Sequence, residues 1–120
     1  MPRDEASLLD VARAAGLILM FKEELDEAAF LGDLKTQSAI LHQLLVLGES
    51  VKRLSDAFRA RHPEIPWRLM SGMRDKLIHG YDAVDLEEVW RVAEQDILEL
   101  LHAIEPLLPK RTPNNGGLRM

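Results

Sequence analysis

The chain contains no cysteine, which excludes disulfides and thiolate-bound metals. It also has no long apolar run. The longest, Gly16-Leu17-Ile18-Leu19-Met20-Phe21, lies between Arg13 and Lys22 and falls far short of the roughly 20 residues that a membrane span needs. The alternation that marks β-strands is missing, and no internal repeat or second domain is visible. The N-terminus opens with Arg3, Asp4 and Glu5, so no signal peptide is expected and the cytoplasm is the expected location.

What remains is the composition of a soluble globular protein, 47% apolar and 29% charged over 120 residues, enough for one domain with a core of ordinary size. A net charge of −5 argues against nonspecific attraction to nucleic acid, but the charge is unevenly spread. Residues 52–76 hold Lys52, Arg53, Arg59, Arg61, Arg68, Arg74 and Lys76 against Asp56, Glu64 and Asp75, whereas residues 82–105 are acidic apart from Arg91. The basic zone reads either as a solvated helix face or as phosphate contacts, with Arg53, Arg68 and Lys76 as candidates.

Apolar residues recur at helical spacing throughout. A first helix is expected from Asp4, as N-cap, to about Glu24, with Leu8, Val11, Ala15, Ile18 and Leu25 on one stripe. A turn follows through Asp26 to Gly32. Asp33 caps a second helix whose seam of Ile40, Leu44, Leu47, Val51, Leu54 and Phe58 runs on to the Arg59–Pro63 region, where Pro63 ends it. Pro66 opens a third helix that stops at Gly80. Asp85 and Glu88 make a capping box for the last helix, which carries Leu86, Trp90, Ala93, Ile97, Leu100, Ile104 and Leu107. The pattern predicts an all-α protein: an antiparallel up-down four-helix bundle with an extra short helical turn over residues 1–108, and a disordered tail over 109–120. Two regular seams also leave room for a second copy to pack against the first.

The third helix carries the chemistry. On a wheel of about 100° per residue, Trp67, Met70, Met73, Leu77, Ile78 and Tyr81 form one apolar arc with Arg74 at its centre. A guanidinium in such a place needs a partner, so it reads either as half of an internal ion pair, with Glu49 as leading candidate, or as an anion site. Tyr81 lies two turns along the same line, while His79 points about 140° away and is four residues from Asp75, a carboxylate able to fix its tautomer. For Arg74 and His79 to meet on one substrate, the helix must loosen near Gly80 or a second subunit must contribute. Histidine can move a 2′-OH proton, and arginine can hold the nonbridging oxygens of an RNA phosphodiester. Spacing alone does not single out a nuclease.

The pattern of Arg74, four residues, His79, one residue and Tyr81 resembles the signature of the HEPN superfamily, and in particular its HepT-like branch. Lys35-Thr36-Gln37, Leu47-Gly48-Glu49-Ser50, Lys52-Arg53-Leu54-Ser55, His62-Pro63, Ile65-Pro66-Trp67, Asp85-Leu86-Glu87 and Val89-Trp90 resemble the same branch in the same order. The resemblance implies a helical bundle that dimerises with its motif helices facing. It implies the toxin of a two-gene, type VII-like toxin–antitoxin module, acting as a metal-independent endoribonuclease without cofactor. The catalytic roles map onto Arg74 and His79, with Asp75 in the polar position after the arginine. The implied partners are RNA and an MntA-type minimal nucleotidyltransferase antitoxin, which would add AMP to Tyr81.

His42 and His102 are read as structural rather than metal-binding, His62 as a solvated loop residue, and Trp67 and Trp90 as core. Two other classes of function stay open. One is a noncatalytic nucleotide-binding or substrate-binding partner of a nucleotidyltransferase; the other is a plain dimeric bundle whose Arg74 pair is only structural.

Overall fold

The computed structural model describes residues 3–109, and every regular element among them is helical. The tail from residue 110 onward lies outside the described residues. No helix among those described is long and apolar enough to cross a membrane.

Helix α1 (Arg3–Lys22) buries Leu8, Val11, Ala14, Ala15 and Ile18. It ends two residues before the expected Glu24, which instead takes a positive φ of 73° in a tight reversal. Asp4 is not the α1 N-cap. Its carboxylate accepts from Ser55 N at 2.8 Å and from Ser55 Oγ at 2.7 Å, tying the start of α1 to the far end of the next long helix. Those contacts make the two helices antiparallel.

The segment expected as a turn contains α2 (Glu27–Leu31), capped by Asp26 and stopped at Gly32. Five residues are too few to show a period, which is why the pattern missed it. Its one buried side chain, Phe30, packs on Trp90 with ring centroids 5.3 Å apart. The buried Gln37 amide donates to Phe30 O and Leu31 O, both at 3.0 Å, tying the end of α2 to α3 and giving the last helical carbonyl, Leu31 O, a donor.

Helix α3 (Leu34–Arg53) starts at its expected cap, Asp33, whose carboxylate accepts from Thr36 N and Thr36 Oγ1. It is shorter than expected. Leu54 turns extended and Ser55 caps a separate α4 (Asp56–Arg61) by accepting from Phe58 N. Leu54 and Phe58 continued the seam, so periodicity ran through a break that serine capping creates. His62 ends α4 just before Pro63.

Helix α5 (Trp67–His79) has Pro66 as its N-cap and Gly80 as its stop, with Gly80 N donating to Lys76 O. A 3-10 turn (Tyr81–Ala83) follows. The last helical stretch is α6 (Leu86–Arg91), a π turn (Val92–Asp96) and α7 (Ile97–Ile104). Asp85 caps α6 by accepting from Glu87 N and Glu88 N. The reciprocal half of the capping box does not form, because Glu88 pairs with Lys76 and Arg91 instead. Arg91 reaches Asp96 across the π turn.

Helix α1 packs between α3 and α7, and α5 lies on the other side of α3. The core runs from Ile18 and Phe30 through Ile40, Leu44, Leu47 and Met70 to Ile97, Leu100 and Ile104, all essentially sealed from solvent.

Candidate functional site

The site is built where α3 and α5 cross. Gly48 makes the crossing close: a Cβ there would run into Arg74 Cβ and sit 2.9 Å from Met70 O. The next residue on α3 is Glu49, so the missing side chain brings its carboxylate against α5. Arg74 donates to Glu49 Oε2 from Nε at 2.9 Å and from Nη2 at 2.7 Å. Its Nη1 donates to Asp75 Oδ1 at 2.9 Å, and Lys52 Nζ donates to the same oxygen at 3.0 Å. A four-membered chain of charge, Glu49–Arg74–Asp75–Lys52, thus lies across the two helices.

The network tunes its own members. Hydrogen bonds to Glu49 and then Asp75 push the Arg74 pKa above its ordinary value. Bonds from Lys52 and then Arg74 hold the Asp75 carboxyl below its ordinary value. A guanidinium has five N–H donors. Three are used here, leaving one on each terminal nitrogen.

The apolar arc expected around Arg74 is divided. Trp67, Met70, Met73 and Leu77 are buried, whereas Ile78 and Tyr81 are 48% and 54% exposed. Arg74 sits on the seam between the halves, its side chain 22% exposed. It is neither in the middle of the core nor free on the surface.

Tyr81 and Ile78 join Leu41, His42, Leu45 and Leu77 around a shallow depression of about 240 Å³ between α3 and α5. His79 stands elsewhere, on a larger cleft of about 430 Å³ between the end of α5 and the start of α6, together with Lys76, Asp85 and Glu88. Asp75 faces Lys52 and Arg74 rather than His79, so the expected aspartate support of the histidine does not form. Among the described residues no hydrogen bond or ion pair joins Arg74 to His79. The divergence read from the helical wheel is therefore real within one chain.

The three basic candidates also separate. Arg53 binds Asp10 and Ser50 on the α1–α3 side, Lys76 pairs with Glu88 at 3.5 Å on the His79 cleft, and Arg68 is exposed near the start of α5. They do not form one patch. Among the described residues no group of three or more metal-ligating side chains comes together. The contribution of Gly48 was missed in the sequence, although a glycine beside Glu49 inside an apolar seam was a usable signal. The His79 cleft had no sequence signal, because it depends on how Val84 folds back under α5.

Residues 11–107 match the family described as "Ribonuclease HepT-like". Among curated proteins, "Probable ribonuclease HepT" of Thermococcus cleftensis is 44% identical over 100 residues, covering 83% of this chain and 91% of that protein. "Putative RNase MJ0127" of Methanocaldococcus jannaschii is 34% identical over 110 residues, covering 90% and 91%. No solved structure matches the chain.

Proposed function

The chain belongs to the HepT-like ribonuclease family, and from that premise we propose that it is a metal-independent endoribonuclease, the toxin of a two-gene toxin–antitoxin module in the cytoplasm. The observation that carries this reading is the state of Arg74. It is fixed on its inner side by Glu49 and Asp75, while two N–H donors remain for the paired oxygens of a phosphate.

His79 supplies the proton transfer. Its imidazole takes the proton from a ribose 2′-OH, the 2′-oxygen attacks phosphorus, and the bond to the 5′-oxygen breaks as that oxygen receives a proton from a second imidazole. The product keeps a 2′,3′-cyclic phosphate. Arg74 neutralises the charge that grows on the nonbridging oxygens. One chain has neither a second motif histidine nor contact between Arg74 and His79, so the reading requires a homodimer with facing α5 helices. The exposed apolar Ile78, set beside Leu41 and Leu45, supports a second copy packing on the α3–α5 face of a HEPN-type four-helix bundle.

Tyr81 is the acceptor for AMP from a minimal nucleotidyltransferase antitoxin. Its exposure fits an accessible hydroxyl. Gly80 breaks α5, so Tyr81 stands in the 3-10 turn beyond it and not on the expected helix line with Arg74; the added phosphate would compete with RNA from the end of α5. The separation of Arg74 from His79 within one chain also favours a second reading, a noncatalytic nucleotide-binding partner of the same nucleotidyltransferase.

Cleavage of RNA by the purified protein in chelator separates the two. Wild type is expected to cut at least about 100-fold faster than His79→Ala or Arg74→Ala. Equal rates overturn the catalytic reading. Incubation with the neighbouring nucleotidyltransferase and ATP, followed by mass spectrometry, is expected to show added AMP that Tyr81→Phe abolishes.

A further inference from the structure

The cleft beside His79 has the chemistry of a base-recognition pocket, and we propose that it holds the nucleobase of an RNA nucleotide next to the cut, favouring bases that carry an exocyclic amino group. This deepens the ribonuclease reading and rests on it. At about 430 Å³ the cleft falls within the range of about 300–1,000 Å³ usual for ligand pockets. Its floor is apolar: Met73, Leu77 and Val89 are buried, and Val84 is half-buried between α5 and α6. Such a floor suits the face of a flat, neutral ring.

The polar groups are confined to the rim, where they can read an edge. Asp85 uses only Oδ1 for capping, accepting from Glu87 N at 3.0 Å and Glu88 N at 3.3 Å. Glu88 uses Oε2 for Lys76 at 3.5 Å and Arg91 at 3.8 Å. No ion pair or hydrogen bond among the described residues engages Asp85 Oδ2 or Glu88 Oε1. Two carboxylate acceptors therefore border an apolar slot, and carboxylates accept from amino groups such as cytosine N4. Uracil lacks an exocyclic amino group, and its one edge donor, N3–H, is flanked by two carbonyls that the same oxygens repel. Lys76 and His79 stand on the same rim as cations or donors for the attached phosphate. The arrangement places base recognition and the proton-transfer group on one cleft, while Arg74 lies on another face of α5.

The test is an NMR titration of the full-length, isotope-labelled protein with the 3′-monophosphates of cytidine, adenosine, guanosine and uridine. The expected result is shifts in the amides of residues 76–80 and 83–89, with at least one amino-bearing nucleotide binding at least about tenfold tighter than 3′-UMP. Val84→Trp, which fills the slot, is expected to abolish those shifts. Asp85→Asn keeps an N-cap of nearly equal quality while offering N–H donors to uracil, and is expected to narrow the preference by several-fold. RNA cut by that variant should show the same change in the base beside the cut.

Shifts absent from the cleft, or equal affinity for all four nucleotides, would overturn the pocket even if the protein cuts RNA. Selective binding in the cleft without RNA cleavage would uphold the pocket and overturn the ribonuclease reading. The two failures are thus distinguishable.

Discussion

Replacing Gly48 with alanine tests the crossing on which the Arg74 seat depends. Alanine is intrinsically the better helix residue by about 1 kcal/mol, so propensity alone predicts stabilisation. Against this, the new methyl meets Arg74 Cβ and comes within 2.9 Å of Met70 O. A backbone oxygen cannot rotate away, so α3 and α5 must separate, and overpacking of this kind costs about 1–3 kcal/mol. With collisions against both a backbone oxygen and a Cβ that no side-chain rotation can move, the upper half of that range applies and the net loss is about 1–2 kcal/mol. Gly72, on α5, is the control, since a Cβ there meets nothing within 4 Å and Gly72→Ala keeps the propensity gain of up to about 1 kcal/mol. The two variants should therefore differ by about 2–3 kcal/mol. In thermal unfolding followed by circular dichroism that is a gap of roughly 8–12 °C for a domain of this size. If Gly48→Ala unfolds as late as Gly72→Ala, the helices do not cross closely at this point and the account of the arginine seat is wrong.

Phe30→Ala removes the only buried side chain of α2 together with its contact to Trp90, and is expected to cost about 3–5 kcal/mol in a denaturant titration; a loss under 1 kcal/mol would mean that α2 is not docked. Asp4, Asp33 and Asp75 are all held below the ordinary carboxylate value of 3.8, the first two chiefly by backbone N–H donors from Ser55 and Thr36 and the third by Lys52 and Arg74. Groups depressed in the fold contribute stability that is complete above the ordinary value and lost as pH falls through the folded one. Unfolding midpoints should thus fall below about pH 4, with Asp75→Asn flattening part of the decline; an unchanged slope would show that the Lys52–Asp75–Arg74 bonds do not persist in solution. Ile78→Glu puts charge on the exposed α3–α5 face, and is expected to yield a monomer by sedimentation with RNA cleavage lost. A cleaving monomer would refute the composite site.

Much of the helical organisation was legible because each long helix repeats its apolar residues at threes and fours. Ile40, Leu44, Leu47 and Val51 mark one buried face of α3, and Ile97, Leu100 and Ile104 one of α7. What periodicity could not carry is the punctuation. Leu54 and Phe58 keep the rhythm of α3 while Ser55, held by Asp4 from fifty-one residues away, breaks it. Asp26 and Gly32 frame α2, but with a single buried residue there is no rhythm to find. At the site, the Glu49–Arg74 pair followed from one charged residue needing another, whereas the division of the apolar arc did not. A wheel sets Leu77 and Ile78 on either side of Arg74 within one apolar arc, and only the position of α3 decides that one is covered and the other is not.

The π turn at Val92–Asp96 makes the last helical stretch one residue longer than the cylinder it occupies. That surplus is a place where the chain can change length without losing its phase. Removing one residue there, such as the exposed Gln95, would close the wide turn into an ordinary one and leave Ile97, Leu100 and Ile104 facing α1. The same deletion inside α7, at the exposed Glu99 for example, would swing every later residue by about 100° and turn Leu100 and Ile104 away from the core. Length variation in this helix is therefore expected to be tolerated at one spot and excluded on its C-terminal side.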